Sequence, residues 1–249
     1  MGIQALDILF ADEHIVAVHK PEGLLVHRSL IDRRETRFAL QVVRDQLGRL
    51  VYPVHRLDKP TSGVLLLALS AEAAKGLVSS FADGDVEKTY LAIVRGHTGA
   101  EGIIDHPLAE EPDRMTDGKA RSGKASREAL TGFRRLAAAE LPFAVGRYPT
   151  SRYSLVEAKP RTGRRHQLRR HFKHLFHPII GDTKYGEGRH NRFFRQEFDC
   201  GRLLLAAVEL SFPHPVSRER VSVRAPIEGT FASVVERLGW REAVPAEWR

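Results

Sequence analysis

The stretch Tyr52-Pro-Val-His-Arg-Leu-Asp-Lys-Pro-Thr-Ser-Gly63, followed by the apolar run VLLLAL at 64–69, decides how this chain is interpreted. Its first part is rich in turn-forming residues, and the run after it has the length and composition of a buried strand. Asp58 therefore lies in a polar loop that leads into a strand. Arg56 and Lys59 flank it, and nearby cations favour the charged form of a carboxylate.

An ionised carboxylate held in such a loop can act as a nucleophile or as a general base. A loop ion pair or an Asx turn explains the same residues without any catalysis. On physical grounds alone, that structural interpretation of Asp58 is the simpler one.

Outward from this stretch, short strands and helices follow one another along the chain. Apolar runs predict strands at 6–10, 15–19, 64–69, 89–94, 153–158, 203–210 and 221–224. Helical spacing of apolar residues predicts helices at 37–47, from a Ser70 cap to 81, at 163–176 and at 231–238. The charged segment 110–124 predicts an exposed loop. Strands with few helices among them predict an α+β fold, with a mixed, largely antiparallel sheet and flanking helices.

Two further segments carry candidate functional residues. In EKTYLAIVR, at 87–95, Tyr90 lies among strand-forming residues, where its ring can pack in the core or stack on an extruded base. In KPRTGRRHQLRRHFK, at 159–173, cations crowd the start of the predicted helix and oppose its dipole. Phosphate binding explains that arrangement better than a solvated face does. The residues predicted to contact nucleic acid here are Arg161, Arg164, Arg165, His166, Arg169, Arg170 and Lys173.

Composition narrows the class of protein. Among 249 residues, 39 Lys and Arg face 31 Asp and Glu, which gives a net charge of +8 and favours polyanionic partners. No apolar stretch reaches the roughly 18 residues of a spanning helix, and the N-terminus does not resemble a secretory signal. The single cysteine, Cys200, predicts a structural thiol in a reducing cytosol and excludes an internal disulfide.

Three histidines spaced three residues apart raise the possibility of a metal site. His171, His174 and His177 have no carboxylate or cysteine at ligand spacing, and their basic neighbours repel a divalent ion. We therefore predict no metal site and interpret these histidines as facing RNA or solvent.

Taken together and in this order, the motifs resemble those of the RluA family of RNA pseudouridine synthases. The resemblance extends from about residue 6 to about residue 238. It is closest to the TruC subgroup, which acts on uridine 65 of tRNA, through VHRS (26–29), GRYPTSRY (146–153) and HQLRRH (166–171). Relatives often carry a histidine where this chain has Ala206. The family motifs are His55-Arg56-Leu57-Asp58 with Thr61-Ser62-Gly63, then Lys88, Tyr90 and Ala92, then TGRRHQLR at 162–169 and HPIIGD at 177–182.

The resemblance implies roles for individual residues. Asp58 matches the catalytic aspartate, Tyr90 the active-site tyrosine that stacks on the base, and Arg169 the basic residue that pairs with the aspartate. Arg56 matches the residue that fills the gap left by the flipped base. The reaction requires no metal and no organic cofactor, because it involves no redox change.

The resemblance also implies the setting of that reaction. We expect one catalytic domain over residues 1–249 without an N-terminal S4 domain, acting as a cytoplasmic monomer, away from membranes, on structured RNA, most closely on uridine 65 in the T stem of tRNA. Three alternatives stay open: a synthase of large-subunit ribosomal RNA, a catalytically idle RNA-binding or folding factor, and a hydrolytic glycosylase. A glycosylase would normally need two acidic groups, and the signature loop offers one.

Overall fold

The computed structural model describes residues 5–27, 36–109 and 125–249, and every structural statement below concerns those residues. The predicted loop at 110–124 and half of the VHRS motif lie outside them. The strands are β1 (Ile8–Ala11), β2 (Ile15–Lys20), β3 (Tyr52–Pro53), β4 (Ser62–Ala68), β5 (Glu87–Arg95), β6 (Glu101–Asp105), β7 (Leu108–Ala109), β8 (Ser126–Arg127), β9 (Leu130–Leu141), β10 (Ser151–Pro160), β11 (Leu205–Pro213) and β12 (Arg220–Arg224). The helices are α1 (Ala39–Leu47), α2 (Ala71–Asp83), α3 (Gln167–His174), α4 (Gly188–Phe198) and α5 (Gly229–Arg237), with two short 3-10 helices at Arg241–Ala243 and Ala246–Trp248.

The chain divides into two units, and the first comprises Met1–Glu87, Leu108–Arg127 and Glu209–Ala225. Its strands β1, β2 and β4 are antiparallel neighbours, with Ile15 opposite Ala68 at one end of the β2–β4 pair. The run after the Asp58 loop is buried throughout because β4 is covered on both faces: Leu65 and Leu67 join one apolar cluster, and Leu66 joins the other.

The second unit comprises Lys88–Pro107, Glu128–Val208 and Pro226–Arg249. Its strands β5, β10, β9 and β6 are antiparallel neighbours in that order. Successive residues of β5 again serve opposite faces: Leu91 and Ile93 enter a large aromatic cluster, and Ala92 and Val94 enter a second cluster with Phe172 of α3. The predicted α+β class with a largely antiparallel sheet is confirmed.

Helix α2 begins as its sequence predicts, because the Ser70 side chain accepts a hydrogen bond from the backbone N–H of Ala73. Helix α3 does not begin at residue 163 as predicted. His166 adopts a left-handed conformation with φ of 53°, so the helix starts at Gln167. The three arginines predicted to load the helix start, Arg161, Arg164 and Arg165, therefore lie on the preceding loop.

No helix in the described ranges combines the length and the apolarity needed to cross a bilayer.

Candidate active site

Asp58 lies in the loop between β3 and β4, in the first unit. The Asp58 side chain is half-buried, while Arg56 is exposed and Leu57 is buried between them. The loop is closed by a turn in which the backbone N–H of Thr61 donates to the carbonyl oxygen of Asp58 at 3.0 Å. The carboxylate is thus carried on ordered backbone.

The buried side chain of Lys20 holds the Asp58 loop in place. Lys20 has no exposed surface, and its Nζ donates to the carbonyl oxygen of Lys59 at 3.2 Å. The same Nζ donates to the carbonyl oxygens of Pro21 and Leu24 at 2.9 Å and 2.8 Å. The N–H of Gly23 also donates to the Lys59 carbonyl, at 2.9 Å. The residue after Asp58 is therefore tied to the end of β2.

His55 of the same motif has a structural role. Its Nε2 accepts a hydrogen bond from the backbone N–H of Leu66 at 2.9 Å, and its ring stacks on Phe81 of α2 with centroids 5.0 Å apart. These contacts fix the start of the loop on β4 and α2.

In the second unit, Lys88 and Tyr90 project from β5. Tyr90 is half-buried beside the apolar cluster that contains Phe172. The Nζ of Lys88 donates to the carbonyl oxygen of Thr162 at 3.2 Å, and burial lowers the pKa of Lys88. The lysine of the second motif thereby holds the loop of the third motif.

Gln167 organises that loop from the first turn of α3. Its Oε1 accepts from the Thr162 hydroxyl at 2.7 Å and from the backbone N–H of Arg164 at 2.9 Å. Its Nε2 donates to the carbonyl of Leu130 and the hydroxyl of Thr131, both at 3.0 Å. No role for Gln167 was predicted from the sequence, although the residue lies in the family motif TGRRHQLR at 162–169.

Arg169 forms a buried, two-pronged ion pair with Asp182. Arg169 Nε and Nη2 donate to Asp182 Oδ2 and Oδ1 at 2.7 Å and 2.9 Å, and both side chains are less than a tenth exposed. Asp182 Oδ1 also accepts from the backbone N–H groups of Lys184 and Tyr185. Burial alone would raise the pKa of Asp182, but these hydrogen bonds and the charge of Arg169 outweigh it and lower the pKa.

The structure thus pairs Arg169 with an acid that sequence reasoning did not nominate. The pairing of Arg169 with Asp58 stays a prediction. A guanidinium carries five N–H donors, so the fork to Asp182 fixes its orientation while it remains able to hold a second acceptor.

Several basic side chains in and near α3 lie close to the side chain of Tyr185. Its hydroxyl lies 2.9 Å from His166 Nδ1, which explains why His166 leaves the helix conformation. The Arg169 guanidinium carbon lies 5.1 Å from the centre of the Tyr185 ring, and Lys173 and Lys184 Nζ lie 5.9 Å and 5.0 Å from it. Cations within about 6 Å of an aromatic face are attracted to it.

The other predicted RNA contacts lie on or beside the same segment. Arg161 is exposed, Arg164 and Arg165 are half-buried, and Arg164 Nε donates to the carbonyl of Glu128 at 2.9 Å. Arg170 is half-buried and Lys173 is exposed. Their roles in binding RNA stay predictions.

At Gly181, which follows α3, the surrounding backbone leaves no room for a side chain. A Cβ on Gly181, whose φ is +79°, would lie 1.7 Å from the carbonyl oxygen of Arg202. Ile179 and Ile180, which precede Gly181, are buried core residues of two different apolar clusters. Asp182, the next residue, forms the ion pair with Arg169. Ala206, where relatives often have histidine, is buried in the aromatic cluster.

The three histidines considered as metal ligands point to different partners. His171 Nε2 donates to the carbonyl of His106 at 3.1 Å, and its Nδ1 accepts from Thr131 Oγ1 at 3.0 Å. The His174 ring stacks on His106, and His177 Nδ1 donates to the carbonyl of Arg95. Within the described ranges, no group of three or more His, Cys, Asp and Glu side chains could hold a metal ion.

Replacing His171 by Asn should make stability less sensitive to acid. Burial, then the charges of His106, His174 and Arg170, lower the pKa of His171 to about 4 against a partly compensating hydrogen bond. As the pH falls from 6.5 towards 4, His171 binds a proton in the unfolded chain but stays neutral in the folded protein. The free energy of unfolding of wild type therefore decreases. The loss attributable to His171 at pH 5 is about 2 kcal/mol.

Urea unfolding of wild type and His171→Asn at pH 7.5, 6.0 and 5.0 measures this difference. The variant should be less stable at pH 7.5 but lose less stability on acidification. The exposed His97, replaced by Asn, serves as the matched control and should follow wild type. Identical acid dependence in wild type and His171→Asn would contradict the assignment.

Comparison with known proteins shows the family to which the chain belongs. The family model described as RNA pseudouridylate synthase matches residues 14–174, which include Asp58, Tyr90 and Arg169. The chain belongs to this family.

Individual relatives extend the likeness over nearly the whole chain. A Pectobacterium carotovorum protein named tRNA pseudouridine synthase C is 52% identical over 240 residues, which are 96% of this chain and 64% of that protein. A protein of the same name from Vibrio parahaemolyticus is 51% identical over 237 residues, 95% of this chain and 96% of that one. The solved structure of human RNA Pseudouridylate Synthase Domain Containing 4 matches with a TM-score of 0.70 at 27% identity, covering 94% of this chain and 93% of that one.

Proposed function

We propose that this protein converts uridine 65, in the T stem of tRNA, to pseudouridine. The observation that carries the proposal is the near full-length likeness, at 51% identity, to a relative named tRNA pseudouridine synthase C, together with family membership. The net charge of +8 supports a polyanionic substrate.

The chemistry assigns Asp58 the central role. Its carboxylate either attacks C1′ of the uridine or removes a proton from C2′ to form a glycal, and both routes break the N1–C1′ bond. The freed uracil rotates and C5 bonds to C1′, while the Asp58–C1′ bond breaks on the first route or C2′ regains its proton on the second. C5 then loses a proton while N1 gains one. Mass is unchanged, and no redox step or cofactor is needed.

Tyr90 and Arg169 support this chemistry in the proposal. Tyr90 stacks on the base and assists removal of the C5 proton, and Arg169 holds the catalytic acid ionised and aimed. The buried fork to Asp182 gives Arg169 a single orientation, which such a role requires. Arg56 is exposed on the Asp58 loop, as a side chain that enters RNA has to be.

Extruding the uridine costs a few kcal/mol of unstacking, which phosphate contacts offset. The basic residues before and along α3 supply those contacts in the proposal: Arg161, Arg164, Arg165, His166, Arg170 and Lys173. We also propose that residues 1–249 form one catalytic domain and that the protein is a cytoplasmic monomer away from membranes. Sedimentation velocity tests the monomeric state, and cell fractionation tests the location.

Pseudouridine mapping tests the proposal. Bulk tRNA and ribosomal RNA from a strain lacking the gene are incubated with the protein, labelled with carbodiimide and read by primer extension. A stop at position 65 of tRNA is the expected result. A stop only in ribosomal RNA would replace the substrate and keep the reaction, and no stop in either RNA would leave an idle RNA-binding factor. Free uracil would indicate a glycosylase instead.

A further inference from the structure

Phe176, just after α3, is exposed to solvent, and its backbone has a conformation that is unfavourable for phenylalanine. Its ring is 81% exposed, and its φ is 61°, in the left-handed region usually occupied by glycine at helix ends. The backbone is fixed there, because the N–H of Phe176 donates to the carbonyl of Lys173 and that of His177 to the carbonyl of Phe172. A phenylalanine at this position costs stability and buries little of its ring. Folding therefore does not explain it.

Positive charge surrounds the same helix end. The His174 ring stacks on His106 with centroids 3.7 Å apart and planes 11° apart. Arg170 lies one helical turn before His174, and Lys173 is exposed beside it. Burial, then the charges of His174 and Arg170, lower the pKa of His106. Two stacked imidazoles thus lie beside the cationic side chain of Arg170, which is an arrangement that suits an anionic ligand.

We propose that this α3-end surface, composed of His106, Arg170, Lys173, His174 and Phe176, binds an RNA segment with an unpaired base in addition to the reacting uridine. The cations take the phosphate and Phe176 stacks on the base. The inference rests on the proposed function for its choice of RNA. Only an unpaired base offers a face to an exposed ring, so the segment is a loop rather than a continuous duplex.

Charge complementarity favours RNA over other partners. An acidic protein segment would match the cations, but an unpaired RNA segment carries a flat base beside every phosphate, which suits both the cations and Phe176. Among the described residues, the acidic neighbour of His106 in sequence is the exposed Asp105, and the groups of α3 that face the imidazole pair are Arg170 and His171. His171, with its pKa of about 4, stays neutral near physiological pH. The surface is thus net positive.

Burial and the neighbouring charges lower the pKa of His106 in the free protein, and a bound phosphate favours its protonated form, so RNA binding at this surface takes up a proton. The affinity for RNA should therefore rise as the pH falls from 8 to 6. The variant His106→Gln should flatten that dependence.

Filter binding of end-labelled bulk tRNA tests the proposal directly. Phe176→Gly should weaken binding by about 5- to 100-fold, the value of one base stacked on an aromatic side chain. Its Tm should equal or exceed that of wild type, because glycine relieves the left-handed backbone. Phe176→Trp keeps a flat ring and should bind within about twofold of wild type. Lys75→Gln with Val78→Ala, on the exposed face of α2, removes a cation and an apolar side chain as a matched control and should bind normally.

Unchanged tRNA binding by Phe176→Gly would overturn the proposal, as would competition by polyglutamate equal to that of RNA of the same charge. A fall in Tm with unchanged binding would show that Phe176 serves the fold. Failure here is separable from failure of the proposed function: wild type that modifies tRNA while Phe176→Gly binds normally refutes only this surface. Wild type that binds through Phe176 but modifies nothing refutes only the reaction.

Discussion

Asp58→Asn should abolish pseudouridine formation, lowering kcat by more than about 10⁴-fold, as the loss of a covalent nucleophile does in other enzymes. The amide keeps the size of the side chain but can neither attack C1′ nor accept a proton from C2′. The loop should stay folded, because the bonds from Thr61 to the Asp58 carbonyl and from Lys20 to the Lys59 carbonyl involve main-chain acceptors. Single-turnover release of tritium from C5-labelled tRNA measures the rate.

The control for this variant is Asp45→Asn on α1. Asp45 forms an exposed ion pair with Arg44, and such pairs contribute about 0–1 kcal/mol. It should leave the rate of tritium release unchanged. An Asp58→Asn protein that is folded, binds tRNA and turns over within tenfold of wild type would show that another group carries the chemistry.

Asp182→Ala should lower the free energy of unfolding by about 3–5 kcal/mol, because it leaves the buried Arg169 guanidinium without its forked partner. It also removes the acceptor for the backbone N–H groups of Lys184 and Tyr185. Activity should fall with stability, since Arg169 loses its fixed orientation. Urea unfolding at pH 7.5 gives the first quantity and tritium release from folded protein the second.

Two comparisons separate charge from geometry at this pair. Asp182→Asn keeps an acceptor for the two N–H groups but loses the charge, so its unfolding free energy should lie between those of wild type and Asp182→Ala. Removing an exposed partner, Asp45→Ala, should cost about 1 kcal/mol or less. A cost for Asp182→Ala no larger than that for Asp45→Ala would mean that the buried pair contributes little to the fold.

Local signals predicted part of the fold well. Residues 64–68 of the apolar run lie in β4 and Ser70 caps α2, as predicted, because both features depend on residues that are close in sequence. The start of α3 was wrong because the left-handed His166 is held by Tyr185, nineteen residues further on. Strand β9 was not predicted: its LAAAEL half favours helix, and pairing of that half with β10 imposes the strand.

The candidate site was predictable mainly through the family resemblance. Asp58 and Tyr90 each had a simpler structural interpretation on physical grounds, and only the order of the motifs favoured catalysis. Asp182 stood in a family motif, but nothing in the spacing shows that a carboxylate thirteen residues after Arg169 meets its guanidinium. The residue before Asp182 is Gly181, where the backbone of Arg202 leaves no room for a side chain, and this long-range approach is equally invisible in the sequence.

The enclosed ammonium of Lys20 has a consequence for how the protein uses its affinity for RNA. Three carbonyl oxygens hold that ammonium, one of them from the residue beside Asp58, so the loop is ordered when the chain folds. Its conformational entropy is then lost before any substrate arrives. In the proposed reaction, the free energy gained on binding RNA is then available to lift the uridine out of its stem and is not spent on ordering the Asp58 loop.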